Sequence, residues 1–512
     1  MQRPISRRDF LLTTAMAAGA TRLRAEPKTA KVSLEIPIEA DGPNMPLDFV
    51  GLSYEVLQLV DLNFFSTKNT GLIRAFQELS PHGVLRLGGN SSEFGYWKPR
   101  PDSPEPPHPK VREVIGEPKA NYYPVTAEAV HNLAEFLQAT GWTCIYGIGM
   151  GTNTPARAAE EAAFVAQVLG AKLQYFQIGN EADLFARHLR DPKTWSAKTY
   201  LDEWLSMAHA IATRVPNAKF GMPDVASQID WLMEIAGTWT SIPNPPRVTT
   251  LTHHYYFGGP ATNPAVNIPN LMMPATMAKV QANADTATAA ADKVGARVRM
   301  TEGNTCYRGG KPGVSDVFAS ALWSADYSLL LASNNYSGIN LHGGTGKSVA
   351  NSVGGSLPGD ALLEQQGATP AEIAAHPHPF YTPIATFGTE YKLEPVARGL
   401  QFAGSLSGGR LFKIELTSKL QASGINATGY AAAMPDGQRS AIVLNKDLAR
   451  DLELVLNFGR DGKVEVETLQ APAIDSREAQ ITNTAIARLK ENEPYHVTVP
   501  HASGVRVTWS KS

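Results

Sequence analysis

Leu173-Gln-Tyr-Phe-Gln-Ile-Gly-Asn-Glu181 reads as a buried strand that ends on a carboxylate. Val298-Arg-Met-Thr-Glu302, farther along, does the same. Parallel barrels carry their chemistry at strand exits, and cleavage of a glycosidic bond needs two acidic groups. Taken alone, each Glu reads equally as a salt-bridge or helix-cap residue. The pattern around them decides.

From about residue 46 to 385, short apolar runs alternate with longer segments of helical periodicity, the order that makes parallel strands with helical crossovers. Eight runs read as strands: Phe49 to Glu55, Gly83 to Asn90, Cys144 to Met150, Leu173 to Glu181, Lys219 to Asp224, Val248 to Tyr256, Val298 to Glu302 and Gly338 to Gly343. Between them, Ala127 to Thr140, Pro155 to Leu169, Lys198 to Val215 and Val314 to Ala332 place apolar residues at helical spacing. The expectation is an α/β fold, a (β/α)8 barrel. The Pro-rich, charged stretch Pro99 to Pro124 and the Gly, Ser and Pro-rich stretch Thr345 to Pro379 are too long for bare connectors and read as loops over the active face.

After about residue 386 the runs become short and alternating: Arg410 to Leu416, Gly429 to Met434, Ser440 to Asn445 and Tyr495 to Val499. That predicts a β-sandwich over 386–512. Lys31 to Ile38 alternates in the same way, so 26–45 is expected to lend an N-terminal strand to it. Residues 1–25 read as an address: Ser6-Arg7-Arg8-Asp9-Phe10-Leu11-Leu12 is a twin-arginine pattern before an Ala-rich apolar stretch. The expectation is export in the folded state to the periplasm or beyond.

Lys and Arg total 46 against 48 Asp and Glu, a near balance that gives no electrostatic case for a nucleic-acid partner. No other stretch is apolar for long enough to span a bilayer. Cys144 and Cys306 fall on different predicted strands, so both thiols are expected free, and Cys and His spacing gives no zinc pattern. No metal or organic cofactor is implied, because two carboxylates and water suffice for glycoside hydrolysis. Oligomeric state is not encoded in these features.

Gly-Leu-Ser-Tyr-Glu55, Leu-Arg-Leu-Gly-Gly-Asn90, Gln-Ile-Gly-Asn-Glu181, His253-His-Tyr-Tyr256 and Thr-Glu302-Gly-Asn-Thr-Cys-Tyr307, in that order, resemble the retaining glycosidases of clan A and, within it, glycoside hydrolase family 79, the β-glucuronidase and heparanase-like group. The resemblance implies Glu181 as general acid/base and Glu302 as nucleophile, with retention if the two carboxyls lie about 5–5.5 Å apart. It implies that Asn180 binds the sugar 2-hydroxyl, that Tyr255 contacts the nucleophile and that Glu55 binds sugar hydroxyls, although Glu55 also reads as an ion-pair partner of Arg86. For a uronate carboxylate it implies Tyr307 and the backbone of Gly309, with charge from Arg308 or Lys311, and a further tyrosine, Tyr381. Asn90 either binds substrate or closes its own turn.

No basic cluster of the kind that heparanase-like members use for a sulfated polymer accompanies these motifs, and the Pro99 to Pro124 loop suits a pocket. The resemblance therefore implies removal of terminal glucuronate from a glucuronic-acid-containing oligo- or polysaccharide. An endo-acting heparanase-like hydrolase, a clan A glycosidase for a neutral sugar and a non-catalytic carbohydrate-binding barrel are the alternatives.

Overall fold

The structure, a computed structural model, describes residues 29–37, 39–413 and 416–511. Eight strands close a barrel in sequence order: Val50–Glu55, Val84–Gly88, Thr143–Ile148, Leu173–Ile178, Phe220–Val225, Val248–Gly258, Arg297–Cys306 and Tyr336–His342. All neighbours are parallel, and the eighth returns to the first, with Ile339 facing Val50, so the sheet has no edge. The first, second and fifth strands are buried at every position. Helices cover their outer face and side chains fill the axis, which is why these strands read as continuous apolar runs rather than alternating ones. The barrel and sandwich expected from the sequence are borne out.

The crossover helices start where the sequence supplies caps. Thr126 accepts the Ala129 N–H ahead of Ala127–Thr140, and Gly141, at φ +81, ends that helix. Thr154 accepts the Arg157 N–H ahead of Pro155–Leu169, with Pro155 in its first turn. Helix Phe318–Ser333 is buried almost all round, because helix Pro395–Gly404 packs on its outer face. A Cβ on Gly399 would come within 1.9 Å of the Ala321 carbonyl oxygen, so this crossing admits only glycine there. A short antiparallel pair, Ile384–Phe387 with Glu390–Leu393, comes before helix Pro395–Gly404, and the strands of the six-stranded sheet follow it. Thr345 to Pro379, read as a loop, carries three short helices, Gly346–Ser352, Pro358–Gln365 and Pro370–Ala374.

The second unit stacks a three-stranded sheet, in the order Ala30–Glu35, Leu452–Asn457 and Tyr495–Val499, on a six-stranded antiparallel one. Alternate residues such as Leu34, Leu454, Val443, Val464 and Val507 meet between the sheets. Ala30–Glu35 lies parallel to Leu452–Asn457, Ala30 facing Leu452, as the alternation before the barrel suggested. Among the described residues of Arg410 to Leu416, Arg410–Leu411 is a strand and Leu416 opens a helix, Leu416–Ala422, with Leu416 and Leu420 buried one turn apart. Barrel and sandwich are tied by buried Asp326, which pairs with Lys446 and accepts the Tyr430 hydroxyl at 2.7 Å. Cys144 and Cys306 are free and buried. Among the described residues no helix is long and apolar enough to cross a membrane. The twin-arginine segment lies outside the described residues.

Candidate active site

Glu181 follows the fourth barrel strand on a tight turn. Gly179 and Glu181 both have left-handed backbones, φ +81 and +49, and the Glu181 N–H donates to the Asp224 carbonyl at 2.9 Å. A non-glycine residue held in this region marks a backbone fixed by its surroundings. Glu302 lies inside the seventh strand. The pairing with strand six slips between Met300 and Glu302, which sets Glu302 opposite His254. One oxygen of each Glu and one His254 nitrogen all lie within 4.8 Å of one another.

The two carboxyls sit in different surroundings. Glu302 Oε2 accepts from Arg86 Nη1 at 2.6 Å and Oε1 from the Tyr256 hydroxyl at 2.9 Å, while His342 Nδ1 lies 3.6 Å from Oε2. Burial by itself would raise the Glu302 carboxyl, but the imidazoles of His342 and His254, the Arg86 guanidinium and the Tyr256 hydroxyl outweigh it and hold it below the usual carboxylate range. Glu181 goes the other way. Burial raises it, and the Glu302 charge adds to that against the opposing His254 contact at 3.0 Å.

Beneath them runs a buried polar network. Arg86 also reaches Asp224 Oδ2 at 2.5 Å, Asn180 Oδ1 at 2.7 Å, Gln177 Oε1 at 2.9 Å and Ser53 Oγ at 3.1 Å. His254 Nε2 lies 3.0 Å from Asp224 Oδ1. Burial would lower this imidazole, yet Asp224 and Glu302 push it up to about 10. The His254 ring thus stands among three carboxyls, with Nδ1 3.0 Å from Glu181 Oε1 and 4.0 Å from Glu302 Oε1 and Nε2 beside Asp224.

Above the network opens a cavity of about 410 Å³. Of the residues singled out from the sequence, Glu55, Asn90, Glu181, Tyr255, Glu302, Tyr307 and Tyr381 line it. Glu55 does not pair with Arg86. It accepts the Ser91 N–H and hydroxyl at 3.0 and 2.6 Å and lies 3.4 Å from His342 Nε2. Asn90, partly exposed on the cavity wall, does not close its own turn; its Oδ1 accepts from the Asn180 amide at 2.9 Å. Asn180 lies behind the wall, its oxygen held by Arg86.

Three expectations are corrected. The hydroxyl on Glu302 belongs to Tyr256, not Tyr255, whose ring packs on Tyr327 with centroids 5.5 Å apart. Alternation separates the two tyrosines correctly, but the even-numbered pair, His254 and Tyr256, faces the carboxylates. Gly309 is not among the residues that line the cavity, and a Cβ built on it would meet Leu357. Lys311 donates to the carbonyls of Asn263 and Val266, leaving only Arg308 of that segment's two cations at the cavity. Residues the sequence reading passed over are Asp224, His342 and Glu93. Glu93 accepts the backbone N–H groups of Met150 and Asn180, each at 2.8 Å.

The Pro99 to Pro124 loop reaches the mouth through Gly116 and Glu117. Glu117 pairs with Arg187 at 3.2 Å, and the Arg308 guanidinium lies against Gly116. Loops following strands two, four and seven thus meet over one side of the cavity.

No family model matches the chain. Over 380 residues, 67% of each chain, it is 25% identical to a β-glucuronidase of Aspergillus niger. Over 346 residues, 61% of this chain and 60% of the other, it is 23% identical to a β-glucuronidase of Neurospora crassa. The chain is β-glucuronidase-like. Among solved structures it is similar to a 4-O-α-L-rhamnosyl-β-D-glucuronidase from Fusarium oxysporum 12S, with TM-score 0.70, 15% identity and 93% and 100% of the two chains covered. A GH51 arabinofuranosidase from Xanthomonas axonopodis pv. citri follows at TM-score 0.63 and 13% identity, covering 94% and 100%. At such identities these structures speak for the shared barrel and sandwich of this β-glucuronidase-like chain.

Proposed function

We propose that this chain, a glycoside hydrolase by its relatives, is a retaining exo-β-glucuronidase that frees terminal β-linked glucuronate. The observation that carries the mechanism is the approach of Glu181 and Glu302 oxygens to within 4.8 Å. An inverting pair stands about 6.5–9.5 Å apart to admit a water between sugar and base.

In the first step an ionised Glu302 oxygen attacks the anomeric carbon, the bond to the leaving oxygen breaks, and Glu181 gives that oxygen its proton. In the second, Glu181 takes a proton from water, the water oxygen bonds the anomeric carbon, and Glu302 leaves as carboxylate. The opposed shifts of the two groups suit these tasks. Asn180, tied to Asn90 and Arg86, lies behind the cavity wall, so of these two amides Asn90 is the one placed to meet a sugar hydroxyl.

Support for glucuronate comes from the two curated relatives and from Tyr307, Arg308 and Tyr381 on one cavity. The Glu117 and Arg187 contact over the mouth supports action at chain ends. Gly309 and Lys311, which do not line the cavity, favour the second reading, a retaining hydrolase for a neutral sugar. Hydrolysis of matched p-nitrophenyl β-D-glucuronide and β-D-glucoside separates the two, with Glu302→Gln as control. Preference for the glucoside sinks the uronate reading, and an α-configured first product sinks retention. We also propose twin-arginine export, on the leader sequence alone; replacing Arg7 and Arg8 with Lys is expected to leave the protein in the cytoplasm.

A further inference from the structure

Asp224, near the end of the fifth barrel strand, is fully buried and off the cavity wall, so substrate does not reach it. Its backbone is left-handed, φ +59, a conformation an Asp keeps only where its neighbours require it. Every hydrogen bond its carboxylate makes is accepted from a donor. Oδ2 accepts from Arg86 Nη2 at 2.5 Å; Oδ1 accepts from Gln177 Nε2 at 2.6 Å and from the Thr301 hydroxyl, and faces His254 Nε2 at 3.0 Å. Its carbonyl holds the Glu181 N–H. Such surroundings fit a carboxylate and not a carboxylic acid.

Two arms leave this hub. Arg86 continues to Glu302 at 2.6 Å, and His254 continues through Nδ1 to Glu181 at 3.0 Å. We propose that Asp224 is a positioning residue for both carboxylates, anchoring Arg86 on Glu302 and holding a charged His254 against Glu181. This rests on the roles given to Glu181 and Glu302 above.

The arrangement bears on the turnover. When Glu302 is esterified by the sugar its charge is lost, and His254 would be left with fewer anions around it. Asp224 keeps the imidazolium charged through that stage, and the imidazolium in turn steadies Glu181 once it has given up its proton, the state needed to activate water. The other groups around the hub do not replace it. The phenols of Tyr175 and Tyr200 are raised chiefly by burial and stay neutral, and burial likewise keeps His253 uncharged.

Without the Asp224 charge, His254 gives up a proton; Glu181 loses its nearby cation, and Glu302 loses one of those beside it while Arg86, no longer anchored by Asp224, remains. Each then keeps its own proton to higher pH. The test is the pH dependence of kcat and KM for wild type and Asp224→Asn, on whichever p-nitrophenyl glycoside the wild type cleaves fastest. We expect kcat to fall at least about 100-fold, the low end of what acid–base groups contribute. KM should change little, and both limbs of the profile should move to higher pH.

A variant with kcat near wild type overturns the proposal, as does a kcat loss with both limbs in place, which a merely structural role would give. If Asp224→Asn fails to fold, ¹⁵N-histidine spectra of the wild type decide, with His254 assigned by His254→Gln: an imidazolium at about pH 8 is expected, and a neutral ring there overturns it. A wild type that cleaves no glycoside defeats the hydrolase reading instead, and the same spectra still test the charge.

Discussion

Tyr256 donates its hydroxyl to Glu302 Oε1 at 2.9 Å, and the preceding tyrosine makes no such contact. A hydrogen bond to a charged group is worth about 1.5–3 kcal/mol, or roughly 10–100-fold in rate. Tyr256→Phe is expected to lower kcat by that factor, while Tyr255→Phe, whose ring still packs on Tyr327, stays within about threefold. Equal losses in the two variants would contradict this placement.

Activity is expected to rise with pH as Glu302 ionises and to fall as Glu181 loses its proton. Because Glu302 is held low by its basic neighbours and Glu181 is raised by burial, the acid limb should lie below the ordinary carboxylate range and the alkaline limb above it. Arg86→Met removes one of the cations on Glu302, so its acid limb should move up. It also leaves Asp224 without its guanidinium, and breaking a buried pair costs about 3–5 kcal/mol. Thermal melting alongside the rate profile checks both effects; an acid limb that stays in place would count against the role given to Arg86.

Glu161, on the helix behind the third strand, is buried and among the described residues accepts only the Tyr146 hydroxyl, at 2.9 Å, and burial raises its carboxyl to about 7. A carboxyl whose folded value exceeds its unfolded one contributes fully below the unfolded value. That contribution is lost as pH rises toward the folded value. Above about pH 7 the loss approaches about 3 kcal/mol. Glu161→Gln keeps the acceptor for Tyr146 and removes the titration. Its melting temperature should exceed wild type at alkaline pH and converge with it in acid; a gap that does not vary with pH would refute the assignment.

Gly399→Ala should destabilise the fold through one contact, since the new methyl meets the Ala321 carbonyl. Forcing two helices apart in a packed interior costs about 1–3 kcal/mol. Denaturant unfolding measures it, and a neutral result would mean that the crossing yields more than its geometry implies.

The barrel was legible because its strands are apolar on both faces and are separated by segments with caps at the right places. Thr126 and Gly141, or Thr154 and Pro155, can be read without coordinates. The two Glu were legible for a related reason, a charge where an apolar run stops. Tyr256 was not. Helices bury the outer face of the sixth strand as thoroughly as side chains fill its inner face, so alternation sorts His254 and Tyr256 from His253 and Tyr255 but does not say which set meets the axis. Asp224 was hidden by distance in sequence. Its role comes from Arg86, Gln177, His254 and Thr301 on four other strands, and within Met222-Pro-Asp224 it reads as an ordinary strand end. Leu416 to Ala422 was missed because an apolar residue every fourth position also satisfies a short alternating pattern.

The strand Ala30–Glu35 has consequences for synthesis. It is made before the barrel, yet the backbone it pairs with is Leu452–Asn457, made long after. While a ribosome is still building the barrel, this segment has no ladder to join, and its apolar residues Val32 and Leu34 wait uncovered. The barrel has all eight strands before that partner exists, so this joint unites a segment translated ahead of the barrel with one translated after it, and a nascent chain halted between the two units would carry a full set of barrel strands with an unclosed seam.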